Sequence, residues 1–145
     1  MMSRDNFPHI EMVSNHACLL TFSQVISEAT SNYIALVTQK LTGLDGIIDL
    51  VPSYTTLLVV FDDDEYDRFA IFKALRQSIE AVDPNDFSLN DQRDVVIPVH
   101  CSQEVGPDLE GGPKRCKRSS NERSKRHNET VYRAYACGLT PGFAF

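Results

Sequence analysis

Apolar residues in the first part of the chain form two short runs and one helical pattern. Residues 10–13 and 17–22 are apolar runs divided by a polar Ser-Asn-His segment, which predicts an opening pair of strands, or one strand with an irregular entry. Over residues 24–41, apolar positions recur at steps of three and four, which predicts an amphipathic helix. Ser23 is the expected N-cap. Gly43 is expected to end the helix in a left-handed conformation.

Strand and helix patterns alternate again in the next part of the chain. Residues 47–51 are apolar and β-branched, and residues 52–55 predict a bend. Residues 56–61 form an uninterrupted apolar run, which is typical of a strand at the centre of a sheet. A second helix is predicted over residues 66–82, with one apolar stripe formed by Phe69, Phe72, Leu75, Ile79 and Val82. Residues 95–99, Val-Val-Ile-Pro-Val, predict a further strand.

Taken in chain order, these elements predict the α+β class. The order β–α–β–β–α–β is that of a ferredoxin-like split βαβ fold. Two helices are expected to cover one face of a four-stranded antiparallel sheet, and residues from about 9 to 99 suffice for this domain.

The composition narrows the functional classes. The chain has 145 residues, of which 42% are hydrophobic, and this is ordinary for a folded soluble domain. A net charge of −6 does not favour nucleic-acid binding. The longest apolar runs are too short to span a bilayer, and the N-terminus lacks the apolar core of a signal peptide. The sequence therefore predicts a cytoplasmic protein that binds neither nucleic acid nor membrane.

The four cysteines, Cys18, Cys101, Cys116 and Cys137, include no Cys-x-x-Cys pair. Reduced, structural thiols are the favoured interpretation, because the context for disulfides is missing. A zinc site built from cysteines and histidines is conceivable, but its spacing matches no common pattern, so no metal is predicted. The residues for such a site would be His100, Cys101, Cys116 and His127.

Two charged clusters have competing interpretations. The carboxylates in residues 62–67 are expected to cap the second helix, because a calcium loop would need a central glycine. Residues 114–126 hold seven of the 14 basic residues and are expected to form a solvated, flexible loop. RNA, an acidic partner or a membrane surface are its alternative ligands. The residues before Lys114 contain six basic against 18 acidic side chains, which disfavours polyanions.

The segment Thr140-Pro141-Gly142-Phe143 is the best candidate for a binding site. A Pro-Gly corner restricts one backbone angle and frees the next, so that backbone N–H groups are able to face a ligand. Arg133, on the preceding strand-like run, is a candidate fork for a carboxylate. A structural turn beside a surface arginine is the alternative. The apolar ending at Phe143 and Phe145 is expected to pack against a partner chain or against further residues of this one.

Several pieces in this order resemble the allophanate hydrolase subunit 1 family. They are Ile-Pro-Val at 97–99, Gly-Pro-Asp-Leu at 106–109, and the ending Tyr132-Arg-Ala-Tyr-Ala-Cys-Gly-Leu-Thr-Pro-Gly-Phe-Ala-Phe145. Tyr54 lies in a segment similar to the family's "V-P-x-Y-x-S-L-L-V", although Thr55 stands where many members have arginine. This family includes one of the subunits of the prokaryotic 5-oxoprolinase and the Kip-type sporulation-kinase inhibitor.

The resemblance implies an N-terminal α+β domain over residues 1–93 and the start of a cyclophilin-like β domain over residues 94–145, with a basic, flexible segment at 111–129. Family members carry an amphipathic helix in this last region, where the present chain is almost devoid of apolar residues. They also continue well beyond residue 145. The strand at 95–99 leads into the second domain in such proteins, so its place in the first sheet is ambiguous.

In function, the resemblance implies a subunit of an ATP-dependent 5-oxoprolinase that is inactive alone. Its partners would be a subunit 2-like protein and a lactam-utilisation subunit, with ATP bound by the assembled complex. The substrate contacts would be Arg133, Thr140, Gly142 and Phe143, and Tyr54 would contact a partner. An inhibitor that binds a histidine kinase is the alternative. A third possibility is a truncated or degenerate reading frame whose first domain folds without a function of its own.

Overall fold

The computed structural model describes residues 8–84, 94–102, 104–106, 119–138, 140–141 and 143–144. The described strands are β1 (His9–Ser14), β2 (Ala17–Thr21), β3 (Ile47–Pro52) and β4 (Thr56–Phe61). The helices are α1 (Glu28–Leu41), α2 (Arg68–Glu80) and α3 (Ser120–Glu129). The chain divides into two compact units, one formed by residues 1–91 and 134–145 and the other by residues 92–133.

The four strands form one antiparallel sheet with the order β1-β2-β4-β3. Both β2 and β3 lie antiparallel to β4, so they run parallel to each other, and α1 connects them. This confirms a mixed fold with a four-stranded antiparallel sheet. The opening strand pair is also confirmed, because β1 and β2 form a hairpin across the turn at Asn15 and His16.

The core lies on one face of this sheet. Burial alternates along β4, where Leu57, Val59 and Phe61 are buried while Leu58 and Val60 are half-buried. The central position predicted for this strand is confirmed. Because successive strand residues point to opposite faces, the helices pack on the face of the buried set. The core residues are Cys18, Leu20, Phe22, Ile34, Val37, Leu41, Leu57, Val59, Phe61, Ile71, Leu75 and Ile79.

Helix α1 begins later than predicted. Its N-cap is Ser27, whose hydroxyl accepts a hydrogen bond from the Thr30 N–H at 3.1 Å. The predicted cap, Ser23, instead accepts from the Val25 N–H at 3.0 Å, in the turn before the helix. The helical pattern overextended because Val25 and Ile26 are apolar at matching positions, although both are exposed.

Replacing Ser27 with alanine is expected to lower the free energy of unfolding by about 1 kcal/mol, because the Thr30 N–H loses its capping acceptor. Ser23→Ala is the matched control and is expected to change the stability by less than about half of that amount. Urea unfolding followed by far-ultraviolet circular dichroism measures both variants. An equal effect of the two substitutions would contradict the role of Ser27 as the cap of α1.

The end of α1 also differs from the prediction. Thr42 is the C-cap in a right-handed helical conformation, and its N–H donates to the Thr38 carbonyl at 2.9 Å. Gly43 has no positive φ, so the predicted left-handed glycine is wrong at this position. Gly46 adopts that conformation instead, with φ of 76°, directly before β3.

The apolar stripe predicted for α2 is confirmed at Leu75 and Ile79 and wrong at Phe69. Ile71, Leu75 and Ile79 are buried, whereas Phe69 is 85% exposed, so its assignment to the core is wrong. Phe72 and Val82 are partly buried against the core. The capping interpretation of the acidic run is confirmed for Asp67, whose carboxylate accepts from the Ala70 N–H at 2.7 Å at the start of α2.

Residues 95–99 do not form a strand. Val95, Val96 and Ile97 are each at least 74% exposed, and none of them pairs with a described strand. The predicted strand is therefore wrong. The edge position beside β2, which a strand after α2 would fill in a split βαβ fold, is occupied by β1.

Helix α3 lies within the basic segment that was expected to be a flexible loop. A capping box holds its first turn, in which Ser119 and Glu122 each accept from the other's backbone N–H. None of its residues is buried, in agreement with the lack of apolar residues in this part of the sequence. Residues 111–118 of the predicted segment lie outside the described residues.

Candidate functional site

The predicted binding turn is closed by its own backbone. The Phe143 N–H donates to the Thr140 carbonyl at 3.0 Å, which makes a β-turn with Pro141 at its second position. A second hydrogen bond joins the Gly138 N–H to the Phe143 carbonyl at 3.0 Å, next to a bridge between Cys137 and Ala144. The turn is therefore the tip of a short hairpin. Gly142 lies outside the described residues.

These hydrogen bonds restrict what the turn is able to bind. The N–H groups of Thr140 and Phe143 both donate inside the turn, the former to the Gly138 carbonyl at 2.7 Å. A ligand that meets these two residues therefore meets the exposed side chains rather than the two N–H groups. Thr140 is exposed and Phe143 is 48% exposed. The groups that this turn presents to solvent are thus a hydroxyl and part of an aromatic ring.

Tyr54 packs against an aromatic residue of the C-terminal segment. Its ring lies in the bend between β3 and β4, where the Ser53 N–H donates to the Thr56 carbonyl at 2.8 Å. The centroid of the Tyr54 ring is 6.3 Å from that of Tyr135, with 38° between the ring planes. Both residues are half-buried. The pair links the β-sheet to residues 134–145 of the same unit, and nothing in the sequence pattern indicated this contact.

A double-mutant cycle on Tyr54→Ala and Tyr135→Ala is expected to give a coupling energy of about 0.5–1.5 kcal/mol, because each single change removes the same ring contact. Chemical unfolding of the two single variants, the double variant and the unchanged chain measures it. A coupling energy indistinguishable from zero would contradict the contact. Tyr33→Ala paired with Tyr135→Ala is the control, since Tyr33 packs on Phe22 instead.

Arg133 belongs to the other unit, residues 92–133, and is half-buried. In this unit, the His127 Nδ1 and the Tyr132 hydroxyl are 2.8 Å apart at the end of α3. The Cys101 Sγ lies 4.0 Å from the Asn128 Oδ1. These polar contacts join the last turn of α3 to Tyr132 and to Cys101. They do not assemble a nucleophile with a base among the described residues.

The cysteine and histidine residues do not form a metal site in the part of the chain that is described. Groups of three or more His, Cys, Asp or Glu side chains suited to a metal ion are absent there. Cys18, Cys101 and Cys137 are free thiols. Burial raises the pKa of the Cys18 thiol, and the nearby Arg68 charge opposes this with a smaller lowering. Cys18 therefore stays protonated at neutral pH, where it is a poor nucleophile.

A cavity of about 550 Å³ lies between the β1–β2 turn and the start of α2. Its walls include Asn15, Asp63, Tyr66 and Arg68. The sequence patterns gave no signal for it, because the two walls come from distant parts of the chain. The described helices contain no segment both long and apolar enough to cross a membrane.

Comparison with known families identifies one match over nearly the whole chain. A family model described as "Carboxyltransferase domain, subdomain C and D" matches residues 8–145. This range includes both the four-stranded sheet and the closed turn at Thr140. Comparison with curated proteins gives no match.

Solved structures show the same fold as part of longer chains. One crystal structure of TTHA0988 is similar to this chain, with a TM-score of 0.67 and 26% sequence identity. The similar region covers 87% of this chain and 23% of the TTHA0988 chain. The crystal structure of TTHA0988 in space group P6522 gives a TM-score of 0.66 and 26% identity, and the similar region covers 88% of this chain and 23% of the TTHA0988 chain. The conserved uncharacterized protein PH0987 from Pyrococcus horikoshii is 25% identical to this chain, with a TM-score of 0.48, over 94% of this chain and 62% of the PH0987 chain. The chain thus spans less than a quarter of the length of TTHA0988.

Proposed function

The chain belongs to the carboxyltransferase domain family, subdomains C and D, and on this premise we propose that it is a subunit of an ATP-dependent hydrolase that opens 5-oxoproline to glutamate. The observation that carries this proposal is the family match over residues 8–145. The resemblance of the C-terminal motif to the allophanate hydrolase subunit 1 family supports the substrate. A cytoplasmic location is part of the same proposal.

The topology supports the architecture that goes with this proposal. The unit β2–α1–β3, with β4 inserted between the two strands, has the connectivity of a split βαβ, as in a ferredoxin-like domain. In the proposed architecture this domain is followed by the start of a cyclophilin-like domain. The β1–β2 hairpin then supplies the edge strand of the ferredoxin-like sheet.

In this proposal, the chain binds substrate and partners, and ATP is bound elsewhere in the complex. Residues 108–113 are glycine-rich but lack the Lys-Ser/Thr of a phosphate loop, so the sequence does not fit an ATP site of that kind. ATP would supply activation of the ring amide by phosphorylation. Arg133 would pair with the substrate carboxylate, and the turn holding Thr140, Gly142 and Phe143 would contact the ring. Tyr54 would contribute to the surface that meets a partner.

The test is co-expression with a subunit 2-like protein and a lactam-utilisation subunit from the same genome, followed by size-exclusion chromatography. ATP-dependent release of glutamate from 5-oxoproline in the fractions that contain the complex is the expected result. Thr140→Ala is expected to raise the KM for 5-oxoproline, whereas Thr38→Ala on α1 is the control and leaves it unchanged. A complex without turnover, or no complex with a folded chain, would contradict the enzyme proposal.

A second candidate is an inhibitor module of the Kip type, which binds a histidine kinase and blocks its autophosphorylation. The exposure of Phe69, at 85%, favours it, because such a module needs an apolar or aromatic contact surface and no chemistry. Addition of the chain to a histidine kinase from the same genome, with labelled ATP, distinguishes the two functions. Inhibition that is lost in Phe69→Ala would support the inhibitor.

A further inference from the structure

Helix α3 is a basic helix whose residues are half-buried or exposed. It contains Arg123, Lys125 and Arg126, and none of its residues is buried. A helix of this length gains little stability in water without packing. The capping box and the Lys125–Glu129 ion pair, at 3.8 Å, support it locally. Lys125 and Arg126 are exposed on this helix.

Charge is divided very unequally along the chain. Residues 1–113 contain six basic and 18 acidic side chains, a net charge of −12, whereas residues 114–145 contain eight basic and two acidic side chains, a net charge of +6. The chain thus carries a strong positive segment and a strong negative one. Attraction between unlike segments of two chains steers association at low ionic strength.

The negative charge is most concentrated in the turn between β4 and α2, residues 62–67, which we term the acidic turn. Asp62 and Asp67 use their carboxylates to accept backbone N–H groups, at 3.0 and 2.7 Å. Asp63, Asp64 and Glu65 are exposed. Their carboxylates have no ion-pair partner among the residues that the structure describes. The acidic turn therefore offers three exposed carboxylates to a cationic partner.

We propose that α3 docks on the acidic turn of a second copy of this chain, so that two copies associate as a dimer through charge. A second copy is favoured over a nucleic acid, because it brings a positive segment of its own to the −12 charge of the first 113 residues, whereas a nucleic acid is negative throughout and is repelled by that charge. In a two-fold arrangement each copy supplies both surfaces, so that the contact is made twice. This proposal does not depend on the proposed enzymatic function.

Sedimentation velocity of the full chain at different salt concentrations tests this association. Exposed ion pairs are weak and screened, so the dimer expected at about 20 mM NaCl should dissociate by about 300 mM, with at least a roughly tenfold weaker association constant. A chain that stays monomeric at the low salt concentration would overturn the proposal. So would a dimer that persists unchanged at the high one.

Variants that replace charged side chains with neutral ones test whether α3 and the acidic turn form the contact. Lys125→Gln with Arg126→Gln is expected to abolish the dimer, as is Asp63→Asn with Asp64→Asn on the acidic turn. Lys73→Gln with Arg76→Gln, at exposed positions of α2, gives the same net charge as the first variant and should leave association unchanged. Circular dichroism verifies that each variant is folded. Equal loss of association in the α2 control, or a dimer that disappears on nuclease treatment, would overturn the proposal.

Discussion

Phe61→Ala is expected to lower the free energy of unfolding of the sheet-containing unit by about 3–5 kcal/mol. Phe61 is 1% exposed at the end of the central strand β4. Its ring also makes an edge-to-face contact with Tyr66, with centroids 6.5 Å apart. Truncation removes the transfer energy of the ring and leaves a cavity that the close-packed core closes only in part. A loss of this size is a large share of the stability of a small domain.

The matched control for this prediction is Phe69→Ala, because Phe69 is 85% exposed on α2. Its removal is expected to change the unfolding free energy by less than about 0.5 kcal/mol. Urea titration followed by tyrosine fluorescence and circular dichroism measures both variants. Comparable losses for the two phenylalanines would contradict the burial pattern of α2.

The exposure of Phe69 shows that helical periodicity in the sequence does not by itself identify the buried face of α2. Two stripes are compatible with the α2 sequence, and both include Leu75 and Ile79. The predicted stripe begins at Phe69 and the observed one at Ile71. They share residues at helical spacing, so periodicity alone does not choose between them. The choice depends on the angle at which α2 meets the sheet, which is a tertiary property. β4 was predictable because its apolar run has no competing interpretation.

The wrong prediction at residues 95–99 has a related cause. A β-branched run has the composition of a strand, yet a strand also needs a neighbour with free hydrogen-bonding groups. The edge beside β2 is taken by β1, which reaches it through a turn of two residues. Closing so short a loop costs less conformational entropy than bringing in a segment that follows α2. The pairing of β1 with β2 thus leaves no free edge beside β2 for residues 95–99.

Only the local part of the candidate site was predictable from the sequence, because contacts between distant residues leave no short sequence pattern. The turn at Thr140 and Pro141 is local, and the Pro-Gly sequence indicates it directly. The contact between Tyr54 and Tyr135, and the cavity beside Arg68, join residues that are distant along the chain. No short pattern encodes such contacts. The roles assigned to Arg133, Thr140, Gly142 and Phe143 therefore remain proposals that depend on the resemblance.

Gly46→Ala is expected to be the second strongly destabilising substitution. Gly46 has φ of 76°, in the left-handed region that other residues enter at a cost of about 1–2 kcal/mol. An added Cβ would lie 2.7 Å from Tyr66 Cε2 and 3.0 Å from Glu65 Cβ. Overpacking of this kind costs about 1–3 kcal/mol. The two terms together predict a loss of about 2–5 kcal/mol in the free energy of unfolding.

The tyrosine ring cannot relieve this clash without losing other contacts. The Tyr66 hydroxyl donates to the Asp45 carbonyl at 3.0 Å, and its ring packs on Phe61. Gly43→Ala is the control, because its added Cβ meets no atom within 4 Å and its backbone needs no positive φ. Urea unfolding should show little change or a small gain for the control. If both alanine variants unfold at the same denaturant concentration, the result would contradict the left-handed conformation of Gly46 before β3. It would also contradict the close approach of Tyr66 to this residue.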